Sequence, residues 1–191
     1  MKMKIAVIYG SVRHHRQGVR VAKYIVKQLN ERGIDNIFVD AKEHKLPFLD
    51  NMYKEYNGDA PEEIENLHQI FDSADGFIIV SGEYNHGLPP ALKNMLDHYQ
   101  SEYHFKPSGL ATYSAGMFGG VRAAVHLRAV TAELGMPSIP TTFPVPSVGK
   151  NFDENGNTDN EHIPGGFDRF IKEFMWYAEA LKAKRDKDGK P

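Results

Sequence analysis

The chain has 191 residues, no cysteine and a formal net charge of -2, with 41% hydrophobic and 25% charged residues. That balance suits a globular protein with a sizeable core, and the lack of thiols excludes disulfides, thiolate nucleophiles, iron–sulfur clusters and Cys-based zinc sites. The small charge gives no electrostatic ground for nucleic acid or an acidic membrane surface, and no apolar run approaches the ~20 residues of a membrane span.

Met1-Lys2-Met3-Lys4 leads into an apolar strand rather than a signal-peptide core, so the expected setting is cytoplasmic. Lys4 to Gly10 reads as a first buried strand, followed by the polar, basic loop Ser11 to Gly18. From Val19 to Asn30 apolar residues recur at helical spacing, and Gly33 stops the helix. Ile37 to Asp40 is a second strand. Residues 41–60 are a polar connection, and Asp59-Ala60-Pro61-Glu62-Glu63 predicts an N-cap, a first-turn proline and two helix-start acids. That helix is expected to reach about Ser73.

Phe77 to Val80 is apolar without alternation, as in a strand buried on both faces of a parallel sheet. It ends in Ser81-Gly82, then a polar loop, Glu83-Tyr84-Asn85-His86-Gly87, then a helix whose Pro90 fits the first turn. Gly109 to Ser114 is a fourth strand, followed by the glycine-rich Ala115 to Gly120 and a helix over 121–134. Ser138 to Pro146 reads as an edge strand, because Pro140 and Pro144 cannot donate to a ladder. Residues 149–166 read as a long loop, Phe167 to Lys184 as a final amphipathic helix, and 185–191 as a charged, frayed tail.

Strands alternating with helices predict one α/β domain over residues 1–184, a doubly wound five-stranded parallel sheet. In strand order 2-1-3-4-5, strands one and three flank the switch point, where ligands bind beyond the strands' carboxyl ends. The loops at 11–18 and 83–87 share that crevice, with 115–120 beside them. The first loop offers a hydroxyl (Ser11), two guanidinium groups (Arg13, Arg16), an amide (Gln17) and the N–H groups of Gly18 and Val19 at a helix start. Such a set suits phosphate, yet it is neither a Walker A loop nor the Gly-x-Gly-x-x-Gly fingerprint. In the second loop Tyr84 can pack on a flat ring and Asn85 can hydrogen-bond its edge. Glycines 116, 119 and 120 would allow backbone to approach a ligand closely.

Other signals fail. The nine histidines show no His-Glu-x-x-His spacing, so no metal site is expected. The calcium-loop-like run from Asp153 has Thr158 where Gly is needed and Pro164 where Glu is needed. Thr112 stands where a nucleophile elbow needs its first Gly. Gly10-Ser11 replaces the paired acids of a phospho-receiver.

Gly10-Ser11-Val12-Arg13, Glu83 to Gly87 with Pro90-Ala91-Leu92-Lys93-Asn94, and Ser114-Ala115-Gly116 with Gly119-Gly120 resemble the NAD(P)H-dependent FMN reductases. These are flavodoxin-like enzymes that include quinone, azo-dye and chromate reductases. The resemblance spans roughly residues 4–150. It implies that Ser11, Arg13, Arg16, Gln17, Gly18 and Val19 hold the FMN phosphate. Glu83, Tyr84, Asn85 and His86 would meet the isoalloxazine, and Ser114, Ala115 and Gly116 its pyrimidine side, near Gly119. It further implies ping-pong hydride transfer from NAD(P)H through FMN to a quinone or similar acceptor, and a homodimer or homotetramer. Since the chemistry belongs to the cofactor, no side chain is assigned as catalytic acid or base. Two departures stand out: Gly82 replaces the family's usual Pro, which predicts a more mobile loop, and Arg16-Gln17-Gly18 replaces its Ser or Asn. An acidic flavodoxin-type electron carrier is the competing reading, against which the net charge of -2 argues. A nucleotide-binding scaffold without turnover is a third.

Overall fold

The computed structural model describes residues 3–191; Met1 and Lys2, which open the expected leaderless start, lie outside the described residues. The strands are β1 (Lys4–Tyr9), β2 (Asp35–Asp40), β3 (Gly76–Gly82), β4 (Ser108–Tyr113) and β5 (Phe143–Val145). The helices are α1 (Val19–Glu31), α2 (Glu62–Ser73), α3 (Pro90–Asp97), α4 (Val121–Glu133), α5 (Val148–Asn151) and α6 (His162–Asp188). All strand pairs are parallel, in the predicted order β2-β1-β3-β4-β5.

The central strands are apolar along their whole length because both faces are covered. Ile5, Val7, Ile78 and Val80 join α1 and α6 in one core, whereas Ala6, Ile8, Phe77 and Ile79 join α2 and α3 in another. Each core gains roughly 25 cal/mol for every Å² of apolar surface it removes from water, and together they fix which strand ends share one edge.

Four boundaries differ from the sequence reading. α2 begins after Pro61, with Glu62, Glu63 and Glu65 in its first turn and no side-chain cap from Asp59, so its start rests on acid–dipole attraction. β5 pairs only at Phe143–Val145, with one isolated bridge from Ser138 to Ser108, because the prolines remove ladder donors. The stretch 149–166 is not all loop: α5 covers its start, and α6 begins at His162, since Pro164 sits in a first turn that needs no N–H there. α6 also runs past Lys184 to Asp188 instead of fraying. Lys182 and Arg185 pair with Asp75 at 2.9 and 3.3 Å, and Arg185 donates to the Phe105 carbonyl at 2.7 Å.

Candidate functional site

At the carboxyl edge of the sheet the loops after β1, β3 and β4 surround one cleft of about 310 Å³. The first loop contributes Ser11, Arg13, Arg16 and Gln17, the second Glu83 and Tyr84, and the third Ser114 and Ala115. The convergence expected of the three loops is therefore present. His15, Tyr113 and Val148 also line the cleft and were not among the candidate site residues; Gly82, noted only as a departure from the family's Pro, lines it too.

The two arginines of the first loop have different surroundings. Arg16 pairs with the Asp40 carboxylate, donates to the Ser11 carbonyl at 3.0 Å and lies 5.2 Å over the Tyr9 ring. Burial lowers its affinity for a proton, but the Asp40 bond outweighs this and raises the pKa. Arg16 thus closes the loop onto β2, leaving part of its guanidinium toward the cleft. Arg13 is exposed and lies 5.6 Å from the Tyr84 ring centroid. The first bonds of α1 are made by Arg20 and Val21 as donors, so the N–H groups of Gly18 and Val19 have no intrahelical acceptor.

A floor of hydroxyls closes the cleft. Ser11 and Tyr84 share a hydrogen bond of 2.7 Å, and the Tyr113 hydroxyl donates to that of Tyr9 at 3.4 Å. Burial raises the pKa of both Tyr9 and Tyr113, so the floor is neutral and its hydroxyls keep their protons.

Tyr113 also explains two glycines. A Cβ on Gly18 would fall 1.9 Å from its Cζ, and one on Gly82 would fall 3.0 Å from it. Gly82 is the register partner of Tyr113 across β3 and β4, so the departure from the family's Pro makes room for a ring.

The loop after Gly82 is closed by local hydrogen bonds. Tyr84 and Gly87 exchange backbone bonds of 3.0 and 2.8 Å, and Asn85 and His86 both have positive φ (49° and 66°). These are the marks of a tight type I′ turn. It turns Asn85 and His86 to the exposed surface, away from the lining residues. Glu83 accepts from the Arg122 backbone N–H and side chain, both at 3.1 Å, which fastens the turn to the start of α4. Burial would push the Glu83 carboxyl up, but the Arg122 bonds hold it below the usual range.

In the third loop Ser114 accepts from the Gly119 N–H at 2.9 Å and donates to the Gly116 carbonyl at 2.8 Å. Gly119 and Gly120 are buried with φ of 63° and 77°, a conformation that favours glycine. They shape the turn, and neither lines the cleft. Gly18, Val19 and Gly116 also lie off the lining.

Among the described residues no cluster of three or more His, Asp or Glu is arranged for a metal ion, and no helix is long and apolar enough to cross a membrane.

The profile of the NADPH-dependent FMN reductase family matches residues 3–150. A 2-hydroxy-1,4-benzoquinone reductase from a Burkholderia species is 32% identical over 182 residues, covering 92% of this chain and 93% of that protein. An NADPH azoreductase from Bacillus is 31% identical, over 72% of this chain and 74% of its own. The flavoenzyme NAD(P)H:(acceptor) oxidoreductase FerB of Paracoccus denitrificans superposes with a TM-score of 0.80 at 20% identity, covering 94% and 98% of the two chains, which shows the flavodoxin-like fold. Membership of this group favours an enzyme over the electron carrier. The chain belongs to the NADPH-dependent FMN reductase family, as an oxidoreductase that uses FMN and NAD(P)H.

Proposed function

We propose that the cleft seats FMN, and that the protein passes electrons from NAD(P)H to a quinone or a comparable small acceptor. The single observation that carries this is the convergence of three loops, far apart in sequence, on one cleft at the carboxyl edge of the sheet. Its donors fit the cofactor. Arg13 and the Gln17 amide suit a phosphate, the neutral hydroxyls of Ser11 and Tyr113 suit a polyol, and Tyr84 offers an aromatic face. When bound, FMN supplies hydride acceptance from the nicotinamide and two-electron delivery to the acceptor. The protein's part is to hold and orient: Arg13 balances phosphate charge, while Arg16 and Glu83 brace the two loops against β2 and α4. Ser114 and Ala115 line the third side of the cleft.

A cytoplasmic setting supplies the reduced nicotinamide. The exposed apolar side chains of Met117, Phe118, Val121 and Val125 at the start of α4 favour a homodimer or homotetramer. The test is an absorption spectrum of the purified protein with flavin identification, followed by NAD(P)H oxidation with and without a benzoquinone. Flavin bands and quinone-dependent oxidation are expected. A protein that neither carries nor takes up FMN refutes the proposal.

A further inference from the structure

A second cleft, of about 380 Å³, adjoins the first. Val12 lines it, while Ser11 and Arg13 on either side of Val12 line the flavin cleft. The shared rim is therefore one residue wide, with neighbouring Cα atoms about 3.8 Å apart. Its far wall is the segment after β2, and its base is the start of α3. This is the same carboxyl edge of the sheet, one strand over.

We propose that this second cleft takes the 2′-phosphorylated adenosine end of NADPH, with Phe48 against the adenine and Lys42 and Lys45 on the 2′-phosphate.

The aromatic wall is built and held. The Asn94 side chain donates to the Pro47 carbonyl at 2.8 Å and accepts from the Leu49 N–H at 2.9 Å. The backbone is pinned on both sides of Phe48, yet its side chain is 90% exposed. A large apolar ring held out into water by a pinned backbone beside an apolar cleft is a ready face for a flat ligand ring. Ala41, Leu46 and Met95 line the slot behind it.

The charge matches a phosphate rather than a bare ribose. Asp40, at the end of β2, is buried and engaged by Arg16. Lys42 and Lys45 follow it, both exposed and both lining the cleft. Two acids lie in or beside this run: Glu43, exposed between the lysines but off the cleft lining, and Glu63, paired with His44 at 2.5 Å. Arg13 continues the positive strip into the flavin cleft, on the side along which a pyrophosphate would join the two ends of a dinucleotide. An apolar slot with lysines at its mouth thus fits a ring bearing an anion better than an apolar protein surface.

The inference rests on the reductase reading, because the nicotinamide must reach the flavin. Its test separates the two. Titration calorimetry with adenosine 2′,5′-bisphosphate and with 5′-AMP reads the second cleft without turnover, and FMN uptake is measured on the same preparations. The bisphosphate is expected to bind, and to bind more tightly than 5′-AMP. In Lys42→Ala/Lys45→Ala that preference and the NADPH-over-NADH ratio in kcat/KM fall about tenfold, the scale of two exposed charge contacts. Phe48→Ala weakens both nucleotides together. A protein that takes up FMN but shows no bisphosphate binding, or whose preference survives the double substitution, overturns this inference alone. Bisphosphate binding without FMN uptake overturns the reductase reading and leaves the adenosine site standing.

Discussion

Replacing Gly18 by alanine tests whether Tyr113 fixes the floor of the cleft. Gly18 has φ −66° and ψ −14°, so alanine meets no backbone strain, and in that conformation a Gly→Ala change is worth about 0.4–1 kcal/mol of stability. The new Cβ, however, falls 1.9, 2.2 and 2.4 Å from Cζ, Cε1 and Cε2 of Tyr113, where carbon contacts begin near ~3.5 Å. The ring must move by more than an ångström. It cannot simply slide, since the Tyr113 hydroxyl bonds Tyr9 and its ring also lies against Gly82. Overpacking of this kind costs about 1–3 kcal/mol. The net expectation is a loss of about 1–2 kcal/mol, or roughly 2–8 °C in Tm for a chain of this size. In a Tyr113→Ala background the clash is gone and Gly18→Ala becomes neutral or stabilising, a coupling of about 1–3 kcal/mol. Urea unfolding of the four proteins in this cycle measures it. If Gly18→Ala costs the same in both backgrounds, Tyr113 is not what requires the glycine, and the account of the floor fails.

The two loop arginines separate by assay. Arg13→Ala weakens FMN retention by about 1.5–3 kcal/mol, the range for hydrogen bonds to a charged group, and leaves urea stability nearly unchanged. Arg16→Ala strands the buried Asp40 carboxylate and lowers stability by up to about 3–5 kcal/mol, so equal unfolding midpoints for the two variants contradict the division of roles. His86→Gly relieves the positive φ of an exposed residue in the type I′ turn and raises stability by about 1 kcal/mol; a loss in the denaturation midpoint means that His86 makes contacts beyond its backbone. Burial pushes Lys106 down to about 8 from 10.5 while its ammonium donates to the Phe71 and Asp72 carbonyls. Between those values the unfolded chain binds more protons, so stability rises with pH. The wild type therefore gains on Lys106→Met between pH 8 and 10.5, and parallel stability curves across that window refute the shift.

The sequence alone established the alternation of strands and helices, and with it the parallel sheet. Unbroken apolar runs such as Phe77 to Val80 suit strands covered on both faces, and Pro90 marks the first turn of α3 as expected. It also named the three loops, because turn chemistry and helix starts are local. Tertiary structure decided what the loops do. That Gly82 faces Tyr113, that Tyr113 reaches Tyr9 across 104 positions, and that Asp40 engages Arg16 all follow from sheet register. The same holds for α6, whose Gly165-Gly166 reads locally as loop but is drawn into helix by burial of Ile163, Phe167 and Phe170. Turn signals and periodicity report on neighbours a few residues away. Which ring needs a glycine, and which arginine is already engaged, depends on partners that only the folded sheet brings together.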